Sequence, residues 1–203
     1  MRFAIYCSGS AGTILGYFRK YKTEVLKPVF IYYDGQQDQV AEELTKESLA
    51  TIYQPAASKV TGALVSNDLL QHLNFHSIDY CFCFGQRILK GDLLHEYRYR
   101  IINFHPSVLP LFPGLNAIDQ ALSTDTKFLG NTAHFIDETI DGGAVILQTI
   151  IPRVAYTDYS SVLNLQHEMM NKLVALLSSG CVKIRHGNIY IEADDSMQGY
   201  YYS

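Results

Sequence analysis

The stretch "IDYCFCFG", Ile78 to Gly85, is almost wholly apolar and ends on a glycine. A strand with one face in water alternates apolar and polar residues, and this stretch has no such alternation. We therefore expect a central strand covered on both faces. Such strands are typical of a parallel sheet enclosed between two layers of helices.

The pattern around this stretch repeats strand and helix in turn. Two further strands, "RFAIYC" and "VFIYY", come before it, and "RIINF" comes after it. Helices are predicted at "GTILGYFRKY", "QDQVAEELTKESLA", "NDLLQHLNF" with Asn67 as its N-cap, "GDLLHEY" and "LNAIDQAL". Strands that alternate with helices predict a parallel, doubly wound sheet.

The second half departs from strict alternation. "NTAHFID" and "AVILQTIIP" are strands with no helix between them, and "VKIRHGNIYIEA" reads as a hairpin. A long helix capped by Asp158 or Ser160 ends at Gly180, and the Tyr-rich end "GYYYS" gives no clear prediction. The expected fold is α/β and Rossmann-like: a doubly wound, mostly parallel sheet with antiparallel strands in the C-terminal part. No linker divides residues 1–203, which predicts a single domain.

The composition argues against several kinds of binding partner. The 203 residues carry a net charge of −4 with no basic stripe, which argues against nucleic acid. The N-terminal apolar run is too short for a signal peptide or a membrane span. The four cysteines lack the spacing of a zinc site and read as reduced core residues. We expect a cytoplasmic protein that needs no metal and does not bind a membrane.

The segment "IINFHPSVLP", Ile101 to Pro110, carries a polar pair where a strand should end. Asn103 and His105 alternate, so an extended chain places both side chains on one side. Pro106 and Pro110 stiffen the loop after His105. In such sheets ligands bind beyond the carboxyl ends of the strands. By pattern alone, an ordinary surface loop with a solvated histidine remains open.

A second segment, "HFIDETIDGGAVI", breaks at two glycines directly after Asp141. This places a carboxylate at a sharp bend, although Asp-Gly is also a common turn pair. On the preceding strand, Thr132 and His134 share a face, and His134 reads equally well as a partly buried structural histidine.

Together the two segments offer an amide, an imidazole and a carboxylate, with no Ser or Cys nucleophile in a supporting motif. The amide and imidazole suit hydrogen bonding to a developing oxyanion, and the carboxylate suits orienting the histidine and holding a water. This set favours attack of a substrate amine on an acyl carbon through a tetrahedral intermediate.

These segments, "INFHPSVLPLFPG" and "GNTAHFIDETIDGG", resemble the 10-formyltetrahydrofolate-dependent formyltransferases. The resemblance covers both family motifs in full and nearly the whole chain, and it implies the formyltransferase fold. It implies that Asn103 and His105 hydrogen-bond the oxyanion, while Asp141 sets the state of His105 and holds a water. His134 and Thr132 would support them.

The resemblance also implies a folate slot. "QRIL" would line it, with backbone groups of Arg87 and Leu89 on the pterin and Ile88 packed on the ring. "ETID" would close the other side, and its residues are Glu138, Thr139, Ile140 and Asp141. The implied co-substrate is 10-formyltetrahydrofolate.

The first loop, "SGSAGTIL", departs from the family pattern Ser-Gly-Asn-Gly-Ser-Asn-Leu. The replaced positions, which would bind the acceptor, are Ser10, Ala11, Gly12 and Thr13. A phosphate at a helix N-terminus remains compatible with this loop, and so does a plain strand-to-helix turn. The family's acidic residue for the substrate ribose would be Glu168, with His167 as the alternative in register.

The implied function is transfer of a formyl group to a primary amine, in the branch that acts on phosphoribosylglycinamide in purine biosynthesis. A nucleotide-linked amino sugar is the alternative acceptor, and a non-catalytic folate-binding paralogue is the alternative of another class. The substrate would be a small, phosphorylated amine, and the protein a monomer or a homodimer.

Overall fold

The structure is a computed structural model that describes residues 1–21, 27–154 and 157–192. The chain divides into two compact units. The first consists of Met1–Phe104 and Phe135–Thr139, and the second of His105–His134 and Ile140–Ser203. The single-domain expectation stays a prediction.

The first unit is built on parallel strands alternating with helices. In chain order its elements are β1 (Phe3–Cys7), α1 (Gly12–Tyr21), β2 (Phe30–Tyr33), α2 (Asp38–Ser48), β3 (Thr51–Tyr53), α3 (Gly62–Phe75), β4 (Tyr80–Phe84), α4 (Asp92–Glu96) and β5 (Ile101–His105, whose last residue belongs to the second unit). The strands lie in the order β3-β2-β1-β4-β5 with every pair parallel. The predicted doubly wound parallel sheet is confirmed.

The middle strands of this sheet are the most deeply buried part of the first unit. All five residues of β1 and all four of β2 are buried, and Cys81, Phe82 and Cys83 of β4 are buried as well. Helix α3 covers one face with Val65 and Leu69. The wholly apolar stretch at β4 is therefore explained by cover on both faces.

Two details of the first unit differ from the sequence prediction. Helix α3 begins at Gly62 with Thr61 as its N-cap, and Asn67 lies inside the helix. The Thr61 hydroxyl accepts the backbone N–H of Leu64, which a cap at Asn67 would leave unbonded. Strand β3 was not predicted, because its three residues are too few for a periodic signal.

A stacked pair of rings joins α3 to β3. The ring of His72 lies 4.0 Å from that of Tyr53, centroid to centroid. Burial lowers the pKa of His72 below its ordinary 6.5, opposed by the carboxylate of Asp68 and aided by the nearby His76. His72 is thus neutral in the folded protein under conditions in which the unfolded chain already takes up a proton.

The lowered pKa of His72 makes stability depend on pH. As the pH falls below about 6.5, the unfolded state gains the proton of His72 before the folded state does. We expect the thermal midpoint to be lower at pH 5.5 than at pH 7.5, and H72F to reduce that difference. The exposed His95 offers the control H95Q, which should keep the wild-type difference. An equal difference in wild type and H72F would contradict the prediction.

The second unit is built on antiparallel strands and a long helix. Its elements are α5 (Ala117–Leu122), β6 (Phe128–Phe135, which ends in the first unit), β7 (Val145–Pro152), α6 (Tyr159–Ser178), β8 (Val182–Arg185) and β9 (Asn188–Ile191). Strands β6 and β7 pair antiparallel, as do β8 and β9. The predicted antiparallel strands of the C-terminal part are confirmed.

Helix α6 is capped by Asp158, one of the two predicted caps. The Asp158 carboxylate accepts the backbone N–H of Ser161 at 2.9 Å. Along the described residues, no helix combines the length and apolar character needed to cross a bilayer. The Tyr-rich end falls in 193–203, outside the described residues.

Candidate active site

Strand β5 carries both Asn103 and His105, two residues apart at its carboxyl end. Asn103 is half-buried and pairs in register with Cys83 of β4. His105 is only 4% exposed. The alternation predicted for the two side chains is a consequence of this strand.

The ring of His105 has protein groups at both nitrogens. Its Nε2 lies 2.8 Å from the carbonyl oxygen of Phe112, which only accepts hydrogen bonds, so Nε2 carries a hydrogen and donates it. Its Nδ1 lies 3.5 Å from Oδ2 of Asp141. The carboxylate of Asp141 is thus placed to orient the ring of His105.

Asp141 is the residue at which the contacts of this site converge. Its Oδ2 accepts the backbone N–H of Gly114 at 2.7 Å, and its Oδ1 lies 3.7 Å from Nε2 of His134. Its backbone has a positive φ of 51°, a conformation in which Asp is enriched among non-glycine residues. The turn thus places one carboxylate beside the imidazoles of His105 and His134 and the backbone N–H of Gly114.

His134 reaches Asp141 from β6 at an irregularity in the strand. The β6–β7 register shifts between Ala133 and His134. A bulge of this kind re-aims a side chain and is common beside active sites. His134 is buried, and its supporting role stays a prediction.

Thr132 ties the loop after β5 to the sheet of the second unit. Its hydroxyl donates to the carbonyl of Ser107 at 2.7 Å and accepts the N–H of Leu109 at 3.0 Å. Gln148 of β7 donates to the same hydroxyl at 3.0 Å and to the carbonyl of Leu109 at 2.9 Å. The loop that begins at His105 is therefore held by hydrogen bonds as well as by its prolines.

The first loop turns sharply before α1. Gly9 and Ala11 both have positive φ, and the N–H of Ala11 bonds the carbonyl of Ser8 at 3.0 Å. Ala11 is buried, while Ser10 and Gly12 are exposed and Thr13 is half-buried. Helix α1 then starts at Gly12, so the positive end of its dipole lies at the loop.

The residues of the predicted folate slot differ widely in exposure. In the first unit, Arg87 is exposed, Ile88 is 69% exposed, and Leu89 is packed in the core. Glu138 and Thr139 are exposed in the first unit, and Ile140 is exposed in the second. The assignment of these residues to a folate slot stays a prediction.

Helix α6 carries both candidate side chains for the ribose contact, Glu168 and His167. His167 is buried, and Glu168 lies on the exposed face of the helix. Gln166 is buried on the same side as His167. A ribose contact by Glu168 stays a prediction, and the helix presents this residue to solvent within its unit.

Several side chains of these sites were not found by sequence reasoning. They are Tyr6, Asp34, Ser107 and Gln148. Each acts through a hydrogen bond to a residue distant in the chain or to a loop carbonyl, and no local pattern marks such a bond. Among the described residues, no three His, Cys, Asp or Glu side chains are grouped so that they could hold a metal ion.

The chain is similar to known proteins along most of its length. The family model described as formyl transferase matches residues 1–176. Phosphoribosylglycinamide formyltransferase of Bacillus subtilis is 30% identical over 153 residues, covering 74% of this chain and 78% of that protein. The crystal structure of glycinamide ribonucleotide transformylase 1 from Symbiobacterium toebii superposes with a TM-score of 0.80 at 25% identity, covering 95% of this chain and 94% of that one.

Some relatives are much longer than this chain. The trifunctional purine biosynthetic protein adenosine-3 of Drosophila pseudoobscura is 35% identical over 121 residues, which cover 57% of this chain and 9% of that protein. The chain therefore matches only a small part of such multifunctional relatives.

Proposed function

Because the chain belongs to the formyl transferase family, we propose that it is an N-formyltransferase that takes its formyl group from 10-formyltetrahydrofolate. The acceptor is a primary amine, and the proposed acceptor is phosphoribosylglycinamide. Relatives of this chain carry that substrate in their names. Formyl transfer to it belongs to purine biosynthesis.

The observation that carries the proposal is the carboxylate of Asp141 beside Nδ1 of His105, at 3.5 Å. The imidazole can donate a hydrogen bond to an oxyanion, and the carboxylate beside it can accept a proton. We assign Asn103 and His105 as the oxyanion donors. Asp141 orients His105 and accepts, through a water, the proton that the attacking amine must lose.

His105 must exchange partners to perform this role. The Nε2 hydrogen is donated to the Phe112 carbonyl, and the loop bearing Phe112 is held by Ser107, whose hydroxyl donates to the carbonyls of Leu111 and Phe112. A ligand oxygen that replaces the carbonyl would gain a charge-assisted hydrogen bond.

The donor is proposed to bind at "QRIL", where Ile88 offers an exposed apolar side chain beside backbone groups. A flat heteroaromatic ring with a polar edge suits such a surface. When bound, the donor supplies the activated formyl carbon. The protein is proposed to be cytoplasmic, and a monomer or a homodimer.

An acceptor screen tests the proposed function. The arms contain 10-formyltetrahydrofolate with phosphoribosylglycinamide, with its dephosphorylated riboside, with a nucleotide-linked amino sugar, or with no amine. We expect kcat/KM for phosphoribosylglycinamide to exceed that for the amino sugar by at least about 10²-fold, measured by mass spectrometry of the formylated product. The riboside should react poorly, because it lacks the phosphate that the N-terminus of α1 is proposed to bind.

Other outcomes identify the alternatives. Faster formylation of the amino sugar would favour the sugar-modifying function, for which the altered loop Ser10–Thr13 is the supporting feature. Folate binding without transfer to any amine would favour a non-catalytic paralogue and overturn the proposal.

A further inference from the structure

The 85–90 loop comes after β4 and has neither helix nor strand, yet side chains fix it at several points. All of the groups involved belong to the first unit. The loop contains the "QRIL" residues that are proposed to bind the formyl donor.

The central anchor is a buried carboxylate. Asp34 comes directly after β2 and is 2% exposed. Its Oδ2 accepts Nε–H of Arg87 at 2.7 Å and the hydroxyl of Tyr6 at 3.0 Å. The three side chains come from the ends of β1, β2 and β4, which lie side by side in the sheet.

Tyr6 is a fixed donor to this carboxylate. Burial raises the pKa of its phenol far above the ordinary value, and the charge of Asp34 acts in the same direction. The hydroxyl therefore keeps its hydrogen at any physiological pH. The ring of Tyr6 also lies so close to Gly85 that a Cβ there would overlap it, so the loop rests directly on Tyr6.

Backbone groups of the loop are fixed on both sides of Arg87. The N–H of Gln86 donates to the hydroxyl of Ser8 at 2.9 Å, and the N–H of Lys90 donates to the hydroxyl of Ser66 at 3.0 Å. A Cβ at Gly62 would lie 2.5 Å from the carbonyl oxygen of Ile88, so α3 approaches the loop closely at its first residue.

A buried carboxylate is a costly way to secure a loop if only stability is at stake. An apolar contact of similar volume serves stability as well or better, because the carboxylate of Asp34 must be desolvated while the side chain of Arg87 stays 39% exposed. A guanidinium held at Nε has a defined position, and this fixes the backbone of the residue that carries it. Fixing a binding loop in advance removes the entropy cost of ordering it when the ligand arrives.

We propose that Asp34, together with Tyr6, is a positioning residue for the formyl donor: it holds Arg87 so that the backbone of residues 87–89 is already shaped for the flat ring. The role rests on the proposed function. It predicts that loss of the carboxylate weakens donor binding while acceptor binding and the chemical step survive.

The test is a double-mutant cycle on donor affinity. D34N, R87M and the double variant are titrated with tetrahydrofolate by isothermal calorimetry, and KM for the acceptor and kcat are measured at saturating donor. We expect each single variant to raise Kd for tetrahydrofolate about tenfold, and the double variant to add little further. In D34N, KM for the acceptor and kcat should stay within about twofold of wild type.

The matched control breaks a different ion pair between a carboxylate and an arginine in the same unit. Arg19 and Glu43 form an exposed ion pair between α1 and α2. E43Q should leave Kd for tetrahydrofolate at the wild-type value, since exposed pairs contribute little. Amide hydrogen exchange supplies a second readout: residues 86–90 should exchange faster in D34N and at the wild-type rate in E43Q. R87K, which keeps a cation, should recover part of the lost affinity.

The outcomes separate this role from the proposed function. If wild type does not bind tetrahydrofolate, the proposed function fails and this role with it. If wild type binds and folded D34N binds equally well, the positioning role alone is wrong. An equal rise in donor Kd and acceptor KM would mean general damage and would also overturn it. Should D34N fail to fold, Y6F removes only the hydroxyl and is expected to raise donor Kd about threefold.

Discussion

Replacement of Asp141 by asparagine should reduce kcat for formyl transfer by about 10³-fold and leave the fold intact. Asparagine tolerates the positive φ of 51° and can still accept the N–H of Gly114 through its amide oxygen. The asparagine amide is uncharged and cannot accept a proton. The charge is therefore removed with little change in shape.

The measurement is kcat at saturating donor and acceptor, followed by the absorbance change as tetrahydrofolate forms. Asp119 on α5 is exposed and lies in the same unit, so D119N is the matched control and should keep kcat within about twofold of wild type. The thermal midpoint of D141N should stay near that of wild type. Transfer by D141N within tenfold of wild type would show that its carboxylate is not used in the reaction.

Replacement of His105 should reduce kcat by a similar factor, but for a different reason. H105A removes the proposed oxyanion donor, and we expect kcat to fall between about 10² and 10⁴-fold. Binding of tetrahydrofolate, measured by calorimetry, should survive. A pure folate-binding protein has no need of this imidazole, so loss of transfer with retained binding separates the enzyme from that alternative.

Because His105 is only 4% exposed, alanine leaves a cavity beside the loop. H105N, which fills more of the space and can donate one hydrogen bond, guards against a loss of activity caused by misfolding. It should be as stable as H105A or more so, yet remain far below wild type in kcat. H95A, at an exposed position of α4, is the control for the loss of a histidine elsewhere in the chain. Activity of both His105 variants near the wild-type level would exclude His105 from the reaction.

The fold could be read from the sequence where burial is extreme. The apolar run at β4 and the strand–helix alternation predicted the parallel sheet correctly, because cover on both faces leaves an unmistakable composition. The start of α3 was misplaced by several residues, since Asn67 and Thr61 are both capable caps and only the packing of Val65 distinguishes them. The three-residue strand β3 was missed because it depends on pairing with β2.

The candidate site was predictable only in part. The alternation of Asn103 and His105 is a consequence of strand geometry, but the approach of Asp141 to His105 came from the resemblance of two motifs. Contacts such as Gln148 to Thr132 depend on the β6–β7 register and its shift at Ala133. The pairing of Asp34 with Arg87 spans 53 residues of sequence, so no local pattern could reveal it.

The hydrogen bonds that converge on Thr132 set a limit on how this protein can lose activity. The same hydroxyl contacts Ser107, Leu109 and Gln148, so the loop after His105 cannot detach while β6 and β7 remain paired. Thermal inactivation should therefore coincide with opening of that strand pair rather than precede it. The working lifetime of the site then depends on the hydrogen bonds of one buried threonine.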